Sequence, residues 1–456
     1  METFDLIVLG GGPAGYTAAL EAIKLGKTAA IVEVDEMGGT CLNRGCIPTK
    51  TILETAATIE KIEEAAEFAV SINAKPEVDR EKLLARKGEI IGTLKGGLEM
   101  LVSSSGVKII KGKGRLAGNG KVEIEGDTPT EIQGDKILIA TGTREAALPI
   151  EGAENMINRT QALELERLPK SVCIIGGGVI GVELATFYAG IGCEVYILEA
   201  LSQVLINLDT EMAIFMKENL VKKGIKICES SKVKRIEKNG ELFKVVFDCN
   251  EEENSIVVDT VLSAVGRTPN TQDIGLEKCG VKCTAKGFIE VDEYMQTTAT
   301  DVYAAGDVTG GILLAHVAFD EGITAVRNAF TDQKICNGKK AVSQCIYTHP
   351  EMASVGLTEE KAKAKYNKLR KGYFSLSANG RALAAGDKGG IVKVLTDDEI
   401  GQIVGVHIIG ERATEIIGTA LIAVEGEYTC DEFTELIIAH PTVCEAIKDA
   451  AAGCIR

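Results

Sequence analysis

Tryptophan is absent from this sequence, aromatic residues make up only 4% of it, and histidine occurs four times. With so few histidines, each can be weighed individually as a catalytic group. A surplus of positive charge is also lacking: 50 Lys and Arg face 66 Asp and Glu, a net charge of −16. Nucleic acid and anionic membrane surfaces repel such a chain, so neither is an expected partner. The N-terminus, Met1-Glu2-Thr3-Phe4-Asp5, has no basic segment. The uncharged stretch from Leu6 to Leu20 is interrupted by four glycines and Pro13, so neither a signal peptide nor a membrane span is expected. Thirteen cysteines are too few and too irregularly spaced for a secreted disulfide scaffold, and an odd number excludes complete pairing. A cytoplasmic protein is expected, in which a disulfide is catalytic rather than structural. No second cysteine pair or histidine set has zinc spacing, so no metal is expected.

What is present is a chain of 456 residues, long enough for about three domains. Apolar residues at 45% and charged residues at 25% are ordinary for a folded protein and exclude disorder as its main character. Glycine is abundant at 50 residues, which points to tight turns and close backbone approaches.

Part of that glycine belongs to an internal repeat with a constant offset of 166 residues. Ile7-Val8-Leu9-Gly10-Gly11-Gly12-Pro13-Ala14-Gly15 corresponds to Cys173-Ile174-Ile175-Gly176-Gly177-Gly178-Val179-Ile180-Gly181. The same offset carries Gly26 onto Gly192 and Glu33 onto Glu199. Each copy reads as apolar strand, glycine turn, helix, then a second strand ending in an acid 18 residues after the last glycine. In this pattern the first glycine allows the turn and the second admits a pyrophosphate. The third lets helix and strand pack closely, and the helix N-terminus supplies partial positive charge. Glu33 and Glu199 are placed to accept hydrogen bonds from ribose hydroxyls, so two dinucleotides are expected.

Between the copies, Pro76 to Ser104 reads as a charged amphipathic helix and Val107 to Ile124 as short strands. Lys136 to Thr143 reads as a buried strand ending in a glycine turn, with a boundary near Pro149. After Glu199 come a helix over about Asp209 to Lys223, strands through Val258, and another buried strand from Asp259 to Gly266. Val302 to Asp307 repeats the pattern of apolar strand, glycine, polar residue. From about Ala341 strands followed by helices suggest a last α+β domain.

Directly after the first repeat stands Gly38-Gly39-Thr40-Cys41-Leu42-Asn43-Arg44-Gly45-Cys46-Ile47-Pro48-Thr49-Lys50. Five residues of regular helix rise about 7.5 Å, whereas a disulfide needs Cα atoms roughly 4.4–6.8 Å apart. Cys41 and Cys46 can therefore bond only if the segment between them is distorted or precedes regular helix, and Gly45 gives that freedom. Pro48 suits the first turn of a following helix. Cys46 then lies at a helix N-terminus with Arg44 and Lys50 nearby, three features that favour a thiolate. His440 is followed five residues later by Glu445, with Pro441 favouring a turn into a helix. Such a pair could form a base held in one tautomer by a carboxylate.

The cysteine segment resembles the redox-disulfide signature of the flavoprotein disulfide reductases. The resemblance covers the whole chain. It includes Ala140-Thr141-Gly142, the second glycine turn, Ala264 to Asn270, Ala305-Gly306-Asp307, Tyr347 to Glu351, and His440 to Glu445. It implies an α/β fold with two Rossmann-like dinucleotide-binding domains plus a C-terminal α+β dimerisation domain. The implied division is an FAD-binding domain over 1–147, an NAD-binding domain over 148–270, a central segment over 271–340 completing the FAD site, and a dimer interface over 341–456. FAD is implied as the first, non-covalent dinucleotide. Gly10, Gly12, Pro13, Ala14, Gly15, Glu33, Gly39 and Thr40 would hold it, with Lys50, Gly114, Thr141 and Gly142. Asp307 would bind its ribityl chain, and Leu314, Ala315 and His316 would contact it mainly through backbone. The second dinucleotide would meet Gly176, Gly178, Val179, Ile180, Gly181, Glu183 and Glu199, together with Val233, Ala264, Gly266 and Arg267.

A carboxylate at Glu199 suits a free ribose 2′-hydroxyl, and Ala200 to Met216 contains no Arg or Lys to welcome a 2′-phosphate, so NAD is expected over NADP. This sets the chain apart from glutathione and trypanothione reductases. It also lacks the C-terminal cysteine pair of mercuric reductases and large thioredoxin reductases, having only Cys454 near its end. The implied activity is oxidation of protein-bound dihydrolipoamide with reduction of NAD, the alternative being NADH-dependent reduction of another small disulfide. Cys41 would be the interchange thiol, Cys46 the thiol nearer the flavin, and Lys50 an ion-pair partner of Glu183. His440 of the partner subunit, oriented by Glu445, would be the acid–base. His349 and His407 are expected to be structural. Cys444 stands where the family usually has a small residue, and is expected to be a bystander. The expected partners are a second copy of the chain and a lipoyl domain, from a 2-oxoacid dehydrogenase complex or a glycine cleavage H-type protein.

Overall fold

The computed structural model describes residues 1–126, 129–338, 340–387 and 389–455. The chain divides into two compact units that interleave along the sequence. The first comprises Met1–Thr49, Leu84–Ala147 and Gly266–Lys339; the second comprises Lys50–Leu83, Leu148–Val265 and Lys340–Arg456.

In the first unit the strand Glu2–Leu9 lies between the parallel strands Ala29–Glu33 and Thr130–Ile139. Lys108–Lys111 extends the sheet beyond Ala29–Glu33, and Val302–Ala304 pairs with Thr130–Ile139. A central strand covered on both faces reads as a continuous apolar run, because alternate side chains enter opposite cores. Leu6 and Val8 accordingly pack with Ala14, Ala18 and Ala22 of the helix Pro13–Lys24, whereas Ile7 and Leu9 pack with Leu116 and Ile137 on the other face. The register aligns Leu9 with Val32 and with Ile139, and Ile139 with Ala304. The carboxyl ends of four strands therefore coincide, where open parallel sheets take their ligands. The strand expected from Lys136 ends at Ile139, the expected glycine turn follows with Gly142 at φ +66°, and Thr143–Glu145 pairs with Arg267–Pro269. The expected helix from Pro76 starts at Arg80, where the Asp79 carboxylate accepts the Lys82 N–H at 3.1 Å.

The second unit repeats the parallel arrangement with Lys226–Cys228, Glu194–Leu198, Ser171–Ile175 and Thr260–Ser263 in that order. Its helix Val179–Gly190 falls at the repeat offset from Pro13–Lys24 at both ends. A three-stranded meander, Ser231–Asn239, Leu242–Cys249 and Glu252–Val258, follows. The last part is a five-stranded antiparallel sheet running from Ser343–Ile346 to Leu369–Ser375, packed against the helices Ala413–Glu425 and Glu445–Ala452. Among the described residues no helix is long and apolar enough to cross a membrane.

One side chain in this sheet defies alternation. Lys393 is fully buried, with its Nζ 2.9 Å from Asp209, 2.8 Å from Glu211 and 2.7 Å from Glu359. Asp209 also caps the helix Thr210–Lys222, and buried His407 accompanies the cluster with its Nε2 3.1 Å from the Leu357 carbonyl. Removing one partner of a buried ionic cluster leaves the others uncompensated. Lys393→Met should therefore cost about 3–5 kcal/mol of stability, read from the denaturant midpoint. A midpoint unchanged from the parent would show that the cluster contributes nothing net.

Candidate active site

At the first glycine turn, Gly10 adopts φ +105°, and a Cβ there would lie 2.3 Å from the Ala140 carbonyl oxygen. A Cβ on Gly15 would lie 1.8 Å from the Gly10 oxygen, so helix and turn meet backbone to backbone. Gly12 precedes Pro13 at the helix start without any side-chain cap, leaving the first-turn amides of a twelve-residue helix directed outward. Gly39 faces Gly12 so closely that a Cβ would sit 2.8 Å from the Gly12 Cα, and Thr40 follows in the helix Gly39–Arg44. Glu33 receives the Gly11 and Asp35 N–H groups, each at 2.6 Å. Gly114 packs against Leu9 and Val32, where a Cβ would come within 2.7 Å of Leu9, so glycine serves strand packing there.

A polar cluster completes this end of the sheet. Asp307 accepts the Thr143 hydroxyl at 2.8 Å and faces the Arg267 Nε at 3.6 Å. Arg267 also donates to the Thr143 carbonyl at 2.7 Å, while its Nη1 is buried with no hydrogen-bond partner among the described residues. Expected at the second nucleotide, Arg267 thus lies beside Asp307, which was expected at the first. Thr141 donates to the Asn270 carbonyl at 2.8 Å and Asn270 returns a bond at 2.9 Å. Leu314 precedes the helix Ala315–Phe330, and His316 is exposed in its first turn. An orphaned guanidinium nitrogen, a Cβ-free cradle and an uncapped helix start fit a dinucleotide with a pyrophosphate and polyhydroxylated arms.

Glu321 lies behind this cluster, 8% exposed, accepting the Gly306 N–H at 2.7 Å. Burial pushes its carboxyl up to about 7, and Asp307 and Asp320 add to the shift. Between pH 4.5 and about 7 the folded protein holds a proton that the unfolded chain has released, so this contribution is present at acid pH and is lost as pH rises through 7. Glu321→Gln should flatten the fall of stability over that window in denaturant titrations, and an unaltered slope would refute the assignment.

The cysteines occupy consecutive helices. Gly39–Arg44 ends at Gly45, whose φ −134° and ψ −107° break the helix before Cys46–Glu63 begins. A Cβ on Gly45 would lie 2.9 Å from the Thr40 oxygen and 3.3 Å from the Cys41 Cα. The chain therefore folds back on Cys41, and the second cysteine follows on a new helix start. Cys41 is half-buried and Cys46 is exposed. Arg44, counted from sequence as a cation for Cys46, is ion-paired to Asp35. Tyr16 was overlooked in the sequence; it packs on Phe319 with ring centroids 5.8 Å apart, and burial together with the nearby Cys41 raises its hydroxyl above the ordinary value.

In the second unit, Lys50 Nζ lies 2.8 Å from both oxygens of Glu183, which is 4% exposed. Lys50 also sits 4.4 Å from the centre of the Tyr347 ring, and the Tyr347 N–H donates to Glu183 at 3.0 Å. Burial pushes the Tyr347 hydroxyl up to about 12. The second glycine turn copies the first. Gly176 has φ +109°, and a Cβ on Gly181 would lie 2.0 Å from the Gly176 oxygen. Glu199 accepts the Gly177 and Leu201 N–H groups at 2.6 and 2.7 Å, as Glu33 does one repeat earlier. Gly178 caps the helix, Val179 is exposed at its start, and Ile180 is half-buried. Ala264 borders Gly176 and Gly266 has φ +117°, whereas Val233 is buried in the apolar core of the meander. A cavity of about 570 Å³ beside the Glu199 loop is lined by Ser202, Gln203, Lys217 and Glu229 among others. Lys217 there is ion-paired to Glu229, so it does not offer an uncommitted cation for a 2′-phosphate.

His440 projects from the segment between the helices Cys430–Glu435 and Glu445–Ala452, its side chain 80% exposed. Its Nδ1 lies 3.0 Å from Glu445 Oε1, and Glu445 Oε2 accepts the Thr442 N–H at 2.8 Å. The Thr442 amide and the His440 ring hold the Glu445 carboxyl below its ordinary range. Cys444 donates to the Thr419 hydroxyl at 3.3 Å. His349 Nε2 lies 3.7 Å from Glu60.

Comparison with known proteins agrees with this geometry. The sequence matches the pyridine nucleotide-disulphide oxidoreductase family over residues 4–322 and the dimerisation domain of the same family over residues 342–451. It is 38% identical over 455 residues to a dihydrolipoyl dehydrogenase of Bacillus subtilis (strain 168), covering 99% of this chain and 98% of that protein. A dihydrolipoyl dehydrogenase of Thermus scotoductus is 39% identical over 458 residues, with 99% and 97% covered. Among solved structures, the Cu(II) complex of the HOCl-induced flavoprotein disulfide reductase RclA from Escherichia coli superimposes with a TM-score of 0.89 at 27% identity, covering 99% of both chains.

Proposed function

This chain belongs to the pyridine nucleotide-disulphide oxidoreductase family, and from that premise we propose that it oxidises protein-bound dihydrolipoamide to lipoamide and reduces NAD. The observation that supports the reading is the break at Gly45, where the helix carrying Cys41 ends and a new helix begins at Cys46. Its full-length likeness to two dihydrolipoyl dehydrogenases supports the substrate.

A dihydrolipoyl thiolate attacks Cys41 Sγ of the Cys41–Cys46 disulfide, forming a mixed disulfide and releasing Cys46 as thiolate. The helix start at Cys46 stabilises that negative charge. The second lipoyl sulfur then displaces Cys41, closing the lipoyl ring and leaving both cysteines reduced. His440 of the partner subunit takes the proton of the attacking thiol at Nε2, while Glu445 holds its Nδ1 and stabilises the imidazolium. FAD, bound non-covalently, would supply the two-electron path from the dithiol to NAD. Gly10, Gly12, Pro13, Ala14, Gly15, Glu33, Gly39 and Thr40 would hold it together with Thr141, Gly142, Asp307, Leu314, Ala315 and His316, and Lys50, oriented by Glu183, would contribute positive charge. Gly176 to Gly181 and Glu199 would hold NAD.

Residues 1–147 with 271–340 serve the flavin, residues 148–270 the nicotinamide dinucleotide, and residues 341–456 the dimer. The lipoyl group arrives on another protein, a lipoyl domain or an H-type protein. The acidic charge and the absence of a disulfide-scaffold pattern support a cytoplasmic setting.

The purified protein should reduce NAD in the presence of dihydrolipoamide and should turn over lipoamide faster than glutathione disulfide or coenzyme A disulfide. A preference for either of the latter would replace this reading with reduction of a different small disulfide. NADH should be preferred to NADPH by tenfold or more, about 1.4 kcal/mol, because the Glu199 carboxylate opposes a 2′-phosphate. Glu199→Gln should narrow that ratio; equal use of both nucleotides by the parent protein would remove the basis for it.

A further inference from the structure

One buried carboxylate in the first unit has no part in the reaction as described. Glu321, on the helix Ala315–Phe330, accepts the Gly306 N–H at 2.7 Å through Oε2. Its Oε1 receives the Asn337 side-chain N–H at the longer distance of 3.4 Å. Burying an ionised carboxyl against neutral donors is costly, and the turn that it holds supplies the reason. Gly306 has φ +78° and ψ −163°, a region that residues with a side chain essentially do not enter. A Cβ on Gly306 would lie 3.1 Å from the Ala14 Cβ and 3.3 Å from the Ala318 Cβ, and a Cβ on Gly322 would lie 2.3 Å from the Ala14 carbonyl oxygen. Ala318, Glu321 and Gly322 share one helix face, and that face clasps the Gly306 turn against the start of the helix Pro13–Lys24. Asp307, the next residue, meets the Thr143 hydroxyl at 2.8 Å and the Arg267 Nε at 3.6 Å. The direction of Asp307 is therefore set one residue earlier, at the amide that Glu321 anchors.

We propose that Glu321 is a positioning residue for the flavin dinucleotide, anchoring the Gly306 amide so that Asp307 and the helix start at Ala14 stay aligned on one ligand, and that its charge couples the hold on that ligand to pH. The inference rests on the FAD reading given above. The charged and titratable groups on the elements around Glu321 are few. Asp307 in the turn and Asp320 beside it on its own helix add like charge. The Glu293 carboxylate accepts the Cys336 S–H at 3.0 Å, and the Arg327–Glu21 pair closes at 2.7 Å between the two helices. FAD would bring the negative charge of its pyrophosphate to this turn, and nearby negative charge favours the protonated form of a carboxyl. By linkage the protonated form then holds the dinucleotide more firmly. Burial pushes the Glu321 carboxyl up to about 7, so the hold weakens as pH rises through that value.

Release of FAD from the diluted holoenzyme, followed by the fluorescence of the freed dinucleotide, tests this at about pH 6 and about pH 8, on either side of the titration. The parent should release FAD several-fold faster at the higher pH. Glu321→Gln keeps an oxygen for the Gly306 N–H and loses the charge. It should hold FAD as the parent does at the lower pH, and its release should change less between the two. Glu321→Ala removes the acceptor and should release FAD about tenfold faster or more at both. A parent rate independent of pH, a Gln variant with the parent's pH ratio, a Gln variant as leaky as the Ala variant, or an Ala variant as retentive as the parent would each overturn the proposal. The parent's own comparison of the two pH values stands even where a variant fails to fold. A parent without a flavin spectrum would overturn the FAD reading and this one together, whereas a flavin-bearing parent that fails these tests leaves the FAD reading intact.

Discussion

Cys41→Ser should lower dihydrolipoamide oxidation by a factor on the order of 10⁴–10⁶, the range lost when one member of a catalytic unit is removed. A serine oxygen cannot close the bridge to Cys46, so no mixed disulfide forms and the lipoyl thiolate has nothing to attack. Cys46→Ser should lose turnover equally, yet the two variants differ in colour. Cys46 is the thiol assigned to the flavin side, so its loss should abolish the long-wavelength thiolate–flavin absorbance of the two-electron-reduced holoenzyme, whereas Cys41→Ser should retain it. Persistence of the band in Cys46→Ser would exchange the two roles, and appreciable turnover in either variant would remove the disulfide from the reaction.

His440→Gln should reduce turnover about 10²–10⁴-fold, the usual contribution of a positioned acid–base. The ring is 80% exposed and tied at Nδ1 to Glu445, so the substitution removes a proton acceptor without opening a core cavity. Stability should therefore stay within the small range of exposed substitutions, about 0.5 kcal/mol. Glu445→Gln keeps the geometry and removes the charge that favours the imidazolium. Its loss of turnover should be smaller than that of His440→Gln. Near-normal rates for His440→Gln would place the base elsewhere.

The repeat was legible in the sequence because its causes are local. Glycines at Gly10 and Gly176 adopt positive φ where any Cβ would strike backbone, and the acids at Glu33 and Glu199 bind equivalent amides. The His440–Glu445 contact was legible for the same reason, depending on five steps of chain. Of the partners distant in sequence, the Lys50–Glu183 pair was implied by the resemblance and the others were not. Lys393 sits on an alternating strand, and nothing nearby announces that Asp209, 184 residues away, neutralises it. Arg44 reads as a neighbour of Cys46 until Asp35 is seen to claim it. Arg267 follows the strand of the second glycine turn in sequence, but it belongs to the same compact unit as Thr143, to which its hydrogen bonds run. Tyr347 was quoted as part of a motif without a role, because its relation to Lys50 and Glu183 arises only on folding.

The ionic knot at Lys393 also has a thermal consequence. Hydration of charges becomes less favourable on warming, so the penalty for withdrawing one ammonium and its carboxylates from water shrinks as the solution is heated. The last sheet should accordingly hold on in a melting experiment after segments secured by apolar contacts alone have loosened, and Lys393→Met should advance its melting more than that of the rest of the chain.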